Sequence, residues 1–149
     1  MPDPIQPASA PPLPLADRSG LILLAHGARD AAWARPFERV AAAVRQARPD
    51  AVVTLAFLEF MTPTLEQAGT QLAACGCTQV AVLPLFLGVG GHVRRDIPVQ
   101  LQQLRHAYPQ VHWRLAPPIG EDPRLLQALT AVALSALTNG DGSDGAHDP

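Results

Sequence analysis

Three residues able to move protons or bind a metal follow apolar runs in this chain. His26 comes directly after Leu21–Ala25, Glu59 after Ala51–Phe57, and His92 shortly after Val80–Phe86. Neutral imidazole is the commonest metal ligand and a good proton carrier. Taken singly, His26 or His92 is equally readable as a capping histidine bonded to a backbone carbonyl. Taken together, behind runs of the same kind, they favour one shared site. Two histidines with the other positions open suit a metal that is delivered, because a closed four-ligand cage stores its metal. Glu59 sits among Leu58, Phe60 and Met61. A carboxylate there is either partly buried, where it serves proton transfer, or turned outward from an irregular loop.

Around these residues lie groups suited to an anion. Gly88-Val89-Gly90-Gly91 can expose backbone N–H groups. It is no Walker motif, since the lysine is missing, and no dinucleotide fingerprint. Arg94 and Arg95 next to it offer forked donors for carboxylates, or a solvated helix start. Cys75-Gly76-Cys77 reads as a helix-to-strand turn with two small buried residues, far from the histidines. His106 and His112 flank the same far end, and all three of His106, His112 and His147 read as surface residues.

The elements that must position this chemistry alternate along the chain. Leu21–Ala25 is a short, continuously apolar run, as in a strand buried on both faces. A helix is predicted over Trp33–Ala47, with Asp30 as cap and Pro36 in the first turn. Ala51–Phe57 is a second strand. Thr62 and Pro63 read as N-cap and first residue of a second helix, whose Leu65, Ala68 and Leu72 share one face and which stops at Gly76. The third strand is Val80–Phe86, where Pro84 requires a bulge or an unpaired position. A third helix carries Ile97, Leu101, Leu104 and Tyr108 at helical spacing. Val111–Leu115 is a weaker fourth strand, and Pro123–Leu137 a last helix capped by Asp122.

Four strands alternating with four helices predict an α/β fold: a four-stranded parallel sheet with helices on both faces. Ligands in such sheets sit beyond the carboxyl ends of the strands. His26, Glu59, His92, the arginines and the loop Ala116–Glu121 all fall at that edge. The expected domain is 20–137. Before it lies a proline-rich segment, 1–19, with six prolines in its first 14 positions, read as a disordered tail. After it, 138–149 reads as a flexible tail.

Composition narrows the function. Hydrophobic residues make up 48% of the chain and charged residues 16%. That is enough apolar material for one core. All 11 basic residues are Arg, so a P-loop lysine and a pyridoxal Schiff base are excluded. The net charge of −2 gives no basic stripe for nucleic acid. The apolar stretches Val80–Gly91 and Leu125–Leu137 are shorter than the roughly 20 residues of a membrane span. Two cysteines and no basic segment ahead of Arg18 lead to the expectation of a cytoplasmic protein without disulfides.

Three blocks carry a family resemblance: Leu23-Leu24-Ala25-His26-Gly27-Ala28-Arg29-Asp30; Phe57-Leu58-Glu59-Phe60 with Thr62-Pro63-Thr64-Leu65; and Leu83-Pro84-Leu85-Phe86-Leu87 running into Gly90-Gly91-His92-Val93-Arg94-Arg95-Asp96-Ile97-Pro98. The chain resembles the short-form class II chelatases, the small sirohydrochlorin chelatase family, over nearly all of 20–137. One departure is Ala28, where the family usually has Ser. The resemblance implies a chelatase-like single lobe and ATP-independent insertion of a divalent metal into sirohydrochlorin, in cobalamin or siroheme biosynthesis. It implies His26 and His92 as metal-binding catalytic residues, Glu59 as catalytic helper, and a homodimer. Arg29, Gly90, Gly91, Arg94 and Arg95 would bind the substrate's carboxylates. No cofactor would be permanently bound; Co2+, Fe2+ or Ni2+ would be a substrate. No nucleic acid or membrane partner is expected.

Other readings remain at this level. A non-catalytic metal or tetrapyrrole carrier could use the same histidines. A histidine phosphatase places Arg directly before its His-Gly pair, where this chain has Ala25. A flavodoxin-like module would need a Ser/Thr-rich phosphate loop after the first strand.

Overall fold

A strand must hide its apolar side chains, and the first strand is apolar enough to need cover on both faces. β1 (Arg18–Ala25) takes the centre of the sheet, between β2 (Val52–Phe57) and β3 (Cys77–Pro84), with β4 (His112–Leu115) beyond β3. The computed structural model describes residues 17–138. All pairings are parallel, in the order β2-β1-β3-β4. Ile22 and Leu24 are fully buried toward one face, and Leu23 and Ala25 toward the other.

The helices follow from right-handed crossovers. A short 3-10 turn (Ala31–Ala34) leads into α1 (Arg35–Ala47), which joins β1 to β2 and covers one face. α2 (Leu65–Ala74) and α3 (Gly91–Ala107) run in the opposite lateral direction and cover the other. There Leu65, Ala68, Leu72, Ile97, Leu101 and Leu104 meet Ile22, Leu24, Val80 and Val82. Each large aliphatic side chain buried this way contributes about 1.5–3 kcal/mol. Among the described residues no polar or charged side chain is buried.

Several expected boundaries move, each for a local reason. Asp30 does cap, accepting from Ala32 N–H at 2.9 Å, but it starts the 3-10 turn, and α1 begins at Arg35 with Pro36 in its first turn. Thr64, not Thr62, is the N-cap of α2. Its hydroxyl accepts from Gln67 N–H, and the Gln67 side chain accepts from Thr64 N–H, which satisfies two free donors at once. Pro63 is therefore outside the helix, its carbonyl accepting from Phe57 N–H. β3 starts at Cys77 and stops at Pro84, so proline ends the ladder and needs no bulge. α3 begins at Gly91, which places His92, Arg94 and Arg95 in its opening turns, the helix start read for the two arginines.

α4 (Pro123–Thr138) forms where expected, and Asp122 caps it by accepting from Arg124 N–H at 2.9 Å. It buries no residue. Leu126, Leu129, Val132, Leu134 and Leu137 are all exposed. The strand region starts at Arg18, two residues inside the expected tail. Thr138, the first residue of the expected second tail, ends α4, and tail residues 1–16 and 139–149, His147 among them, lie outside the described segment.

Candidate active site

The strand order reverses between β1 and β3: the chain leaves β1 toward β2 and leaves β3 toward β4. At such a point the loops beyond the strand ends diverge and open a crevice. His26 is the first residue after β1, and His92 is the second residue of α3, which follows the connection leaving the neighbouring strand β3. Both histidines are exposed, as is Glu59. The buried alternative for Glu59 is thus not the arrangement found.

His26 is oriented by packing. Its ring centroid is 4.3 Å from that of Phe86, at 38°. Phe86 is 1% exposed and belongs to the main core, so a rigid residue beneath His26 fixes the imidazole's seat. Glu59 is tied to the same place through backbone. Leu58 N–H donates to the Ala25 carbonyl and Glu59 N–H to the His26 carbonyl, both at 3.0 Å. The pairing of β1 with β2 thereby extends past both strands.

Two glycines make these loops fit. Gly27 has φ +91°, and a β-carbon there would lie 1.9 Å from the Glu59 carbonyl oxygen. A β-carbon on Gly120 would lie 1.8 Å from the Leu87 carbonyl oxygen, and Gly120 N–H donates to the Phe86 carbonyl at 2.9 Å. Sequence reasoning missed Gly120 and Phe86. The position of Gly120 in the loop after the fourth strand was the available signal.

The predicted substrate-binding residues divide. The Arg29 guanidinium lies over the Phe60 ring, 4.7 Å from its centroid. Arg94 lines a 160 Å³ apolar cavity with Pro84, Phe86, Ile97, Leu115 and Glu121. Arg95 folds back, Nε donating to the Gly91 carbonyl at 3.1 Å. Gly90 is the N-cap of α3 and Gly91 its first residue. A β-carbon on Gly90 would meet nothing within 4 Å, and one on Gly91 only an ordinary contact with Arg95, so packing within this chain does not require either glycine.

Among the described residues, no three of His, Cys, Asp or Glu gather closely enough to cage a metal. His26 and His92 each stand exposed outside any such cluster. The cysteine turn lies at the opposite sheet edge, where Cys77 is buried and Cys75 is exposed, so only one of the two matches the expected burial. Desolvation pushes the Cys77 thiol upward, the reverse of an activated nucleophile. His106 and His112 are exposed at that same far edge.

A sequence model of the CbiX family matches residues 20–136, which takes in all but the first two residues of β1 and the last two of α4. The chain belongs to the CbiX family. Among CbiX relatives, the sirohydrochlorin cobaltochelatase of Sulfurisphaera tokodaii is 32% identical over 110 residues, covering 74% of this chain and 87% of that protein. The sirohydrochlorin ferrochelatase of Priestia megaterium is 37% identical over 73 residues, 49% of this chain and 27% of that protein, so the match spans about a quarter of that longer enzyme. A solved CbiX protein from Marinobacter aquaeolei superposes with a TM-score of 0.71 at 35% identity, covering 81% of this chain and 98% of that one. The CbiX fold is therefore the fold of this chain. No helix among the described residues is long and apolar enough to cross a membrane.

Proposed function

We propose that this chain is a sirohydrochlorin chelatase, inserting a divalent metal into the tetrapyrrole without ATP. The observation that carries this is the exposure of His26, directly after β1, and of His92, in the first turn of the helix that follows the neighbouring strand β3. The relatives named as cobaltochelatase and ferrochelatase support the same reaction.

Insertion exchanges two pyrrole protons for one divalent cation. The protein must hold the metal loosely, present it to the macrocycle and take up the protons. His26 and His92 bind the metal through imidazole nitrogen and leave its other positions for pyrrole nitrogens. As the metal passes to the ring, the freed imidazoles and the exposed Glu59 carboxylate accept the two protons. Arg29, Arg94 and Arg95 offer guanidinium nitrogens to substrate carboxylates, Arg95 through its terminal nitrogens since its Nε is bonded to Gly91. No resident cofactor enters this scheme. Cobalt, iron and nickel all suit imidazole and oxygen donors.

The working unit in this proposal is a cytoplasmic homodimer. One lobe is a single wall for a large flat ring. The exposed apolar residues of α4 have no partner within the described chain, and they supply surface for a second copy.

The test is anaerobic turnover of sirohydrochlorin with Co2+, Fe2+ and Ni2+ separately, followed by the absorption spectrum. Multiple turnovers are expected with at least one metal. Stoichiometric binding without turnover would instead make the chain a carrier.

A further inference from the structure

Phe60 carries two unfavourable choices at once. It is 58% exposed, an aromatic ring left largely in water. Its φ is +62°, in the left-handed region that disfavours a β-carbon. Met61 N–H donates to the Glu59 carbonyl at 2.8 Å across it. That bond closes a γ-turn of the rarer, strained kind. The ring belongs to neither of the two core clusters. A glycine would remove both penalties with little loss of packing. Strain of this sort concentrates where a ligand is gripped.

The surroundings give the ring its orientation and its neighbours. Glu59, one residue earlier, is pinned to His26 by backbone, so Phe60 stands beside the metal-binding edge. The Arg29 guanidinium caps the ring at 4.7 Å. An open groove of about 380 Å³ runs alongside, lined by Ala28, Arg29, Ala31, Phe60, Met61 and Thr62. A flat aromatic surface, a forked cation fixed against it and an adjoining groove match a flat conjugated macrocycle bearing carboxylate arms.

We propose that Phe60 is a substrate-binding platform for the tetrapyrrole, its ring contacting the macrocycle while Arg29, held over it, pairs with a peripheral carboxylate. This rests on the sirohydrochlorin reading above. Ring-on-ring contact is worth roughly a 5- to 100-fold change in affinity, by analogy with aromatic stacking on a nucleobase. The turn fixes the ring before substrate arrives, so less ordering is lost on binding.

The experiment is fluorescence titration of metal-free sirohydrochlorin into the full chain, with thermal unfolding of each variant alongside. Phe60→Ala and Phe60→Gly are expected to weaken binding at least roughly 5-fold, and Phe60→Leu to fall with them. Phe60→Trp should bind as wild type does. The glycine variant should unfold at the wild-type temperature or above it. In turnover, Phe60→Ala should raise KM far more than it lowers kcat. Arg29→Gln should also weaken binding, and by a smaller factor once Phe60 is Ala, because the two act through one another. His106→Ala, exposed at the opposite sheet edge, should bind metal-free sirohydrochlorin normally. Unchanged affinity in Phe60→Ala, or full affinity in Phe60→Leu, overturns the platform and leaves the chelatase reading intact. A glycine variant much less stable than wild type assigns the ring a structural role and overturns it too. Failure of the wild-type chain to bind sirohydrochlorin overturns the chelatase reading itself, and the platform with it.

Discussion

A β-carbon on Gly27 would stand 1.9 Å from the carbonyl oxygen of Glu59. The residue after His26 must therefore be glycine for the loops behind β1 and β2 to close on each other. Gly27 also holds a φ of +91°, where any other residue is strained. Clash and strain together are expected to make Gly27→Ala cost about 2 kcal/mol or more. Denaturant unfolding measures it. Insertion should suffer with it, since the shift displaces His26 and Glu59 together.

His26→Ala and His92→Ala test the chemistry. Each side chain is exposed, so little packing is lost, apart from the His26 ring on Phe86. The insertion rate should drop by about 10²–10⁴-fold, the usual worth of a positioned proton acceptor. The unfolding midpoint should hardly move. His106→Ala, at the opposite sheet edge, serves as the control and should turn over at the wild-type rate.

The two thiols should differ in reactivity. Cys75 is exposed, whereas Cys77 is buried and its thiol pushed up by desolvation. One thiol per chain is expected to react promptly with an excess of a thiol reagent under native conditions, and two in denaturant. Cys75→Ser with Cys77→Ser should leave turnover near normal, because both sit at the strand ends away from His26.

The start of α4 has an acid-sensitive cap. A side-chain bond and charge from Arg124, with the Arg124 N–H, lower the Asp122 carboxyl to about 2. A depressed carboxyl contributes stability above its unfolded value of about 3.9 and loses it as pH falls through the folded one. Helical circular dichroism should accordingly weaken between about pH 4 and pH 2. In Asp122→Asn that component of the acid transition should be absent, leaving only what other carboxylates contribute.

α4 also bears on assembly. Leu129→Asp places a charge on an exposed apolar helix without disturbing the core of its own chain. Light scattering should report a dimer for the wild type and a monomer for the variant, and only the wild type should unfold at a temperature that rises with protein concentration. A wild-type chain that stays monomeric at micromolar concentration would count against the pairing.

Much of this was legible in the sequence because it depends on local pattern. Strands such as Leu21–Ala25 announce themselves as unbroken apolar runs, and Leu65, Ala68 and Leu72 as a helical stripe, since burial on both faces or on one stripe demands those periods. His26, Glu59 and His92 are legible as candidates because parallel sheets take their ligands beyond the carboxyl ends of the strands. Element ends were less legible. Thr62 and Thr64 both offer a capping hydroxyl, and only the reciprocal bond with Gln67 selects the second. What tertiary structure alone decided is the contact between loops distant in sequence. Phe86 beneath His26, Gly27 against Glu59, Gly120 against Leu87 and Arg29 over Phe60 all depend on which strands are neighbours and in what register. Periodicity along one segment says which face is buried; it carries no information about which other segment arrives there, and the site is made of those arrivals.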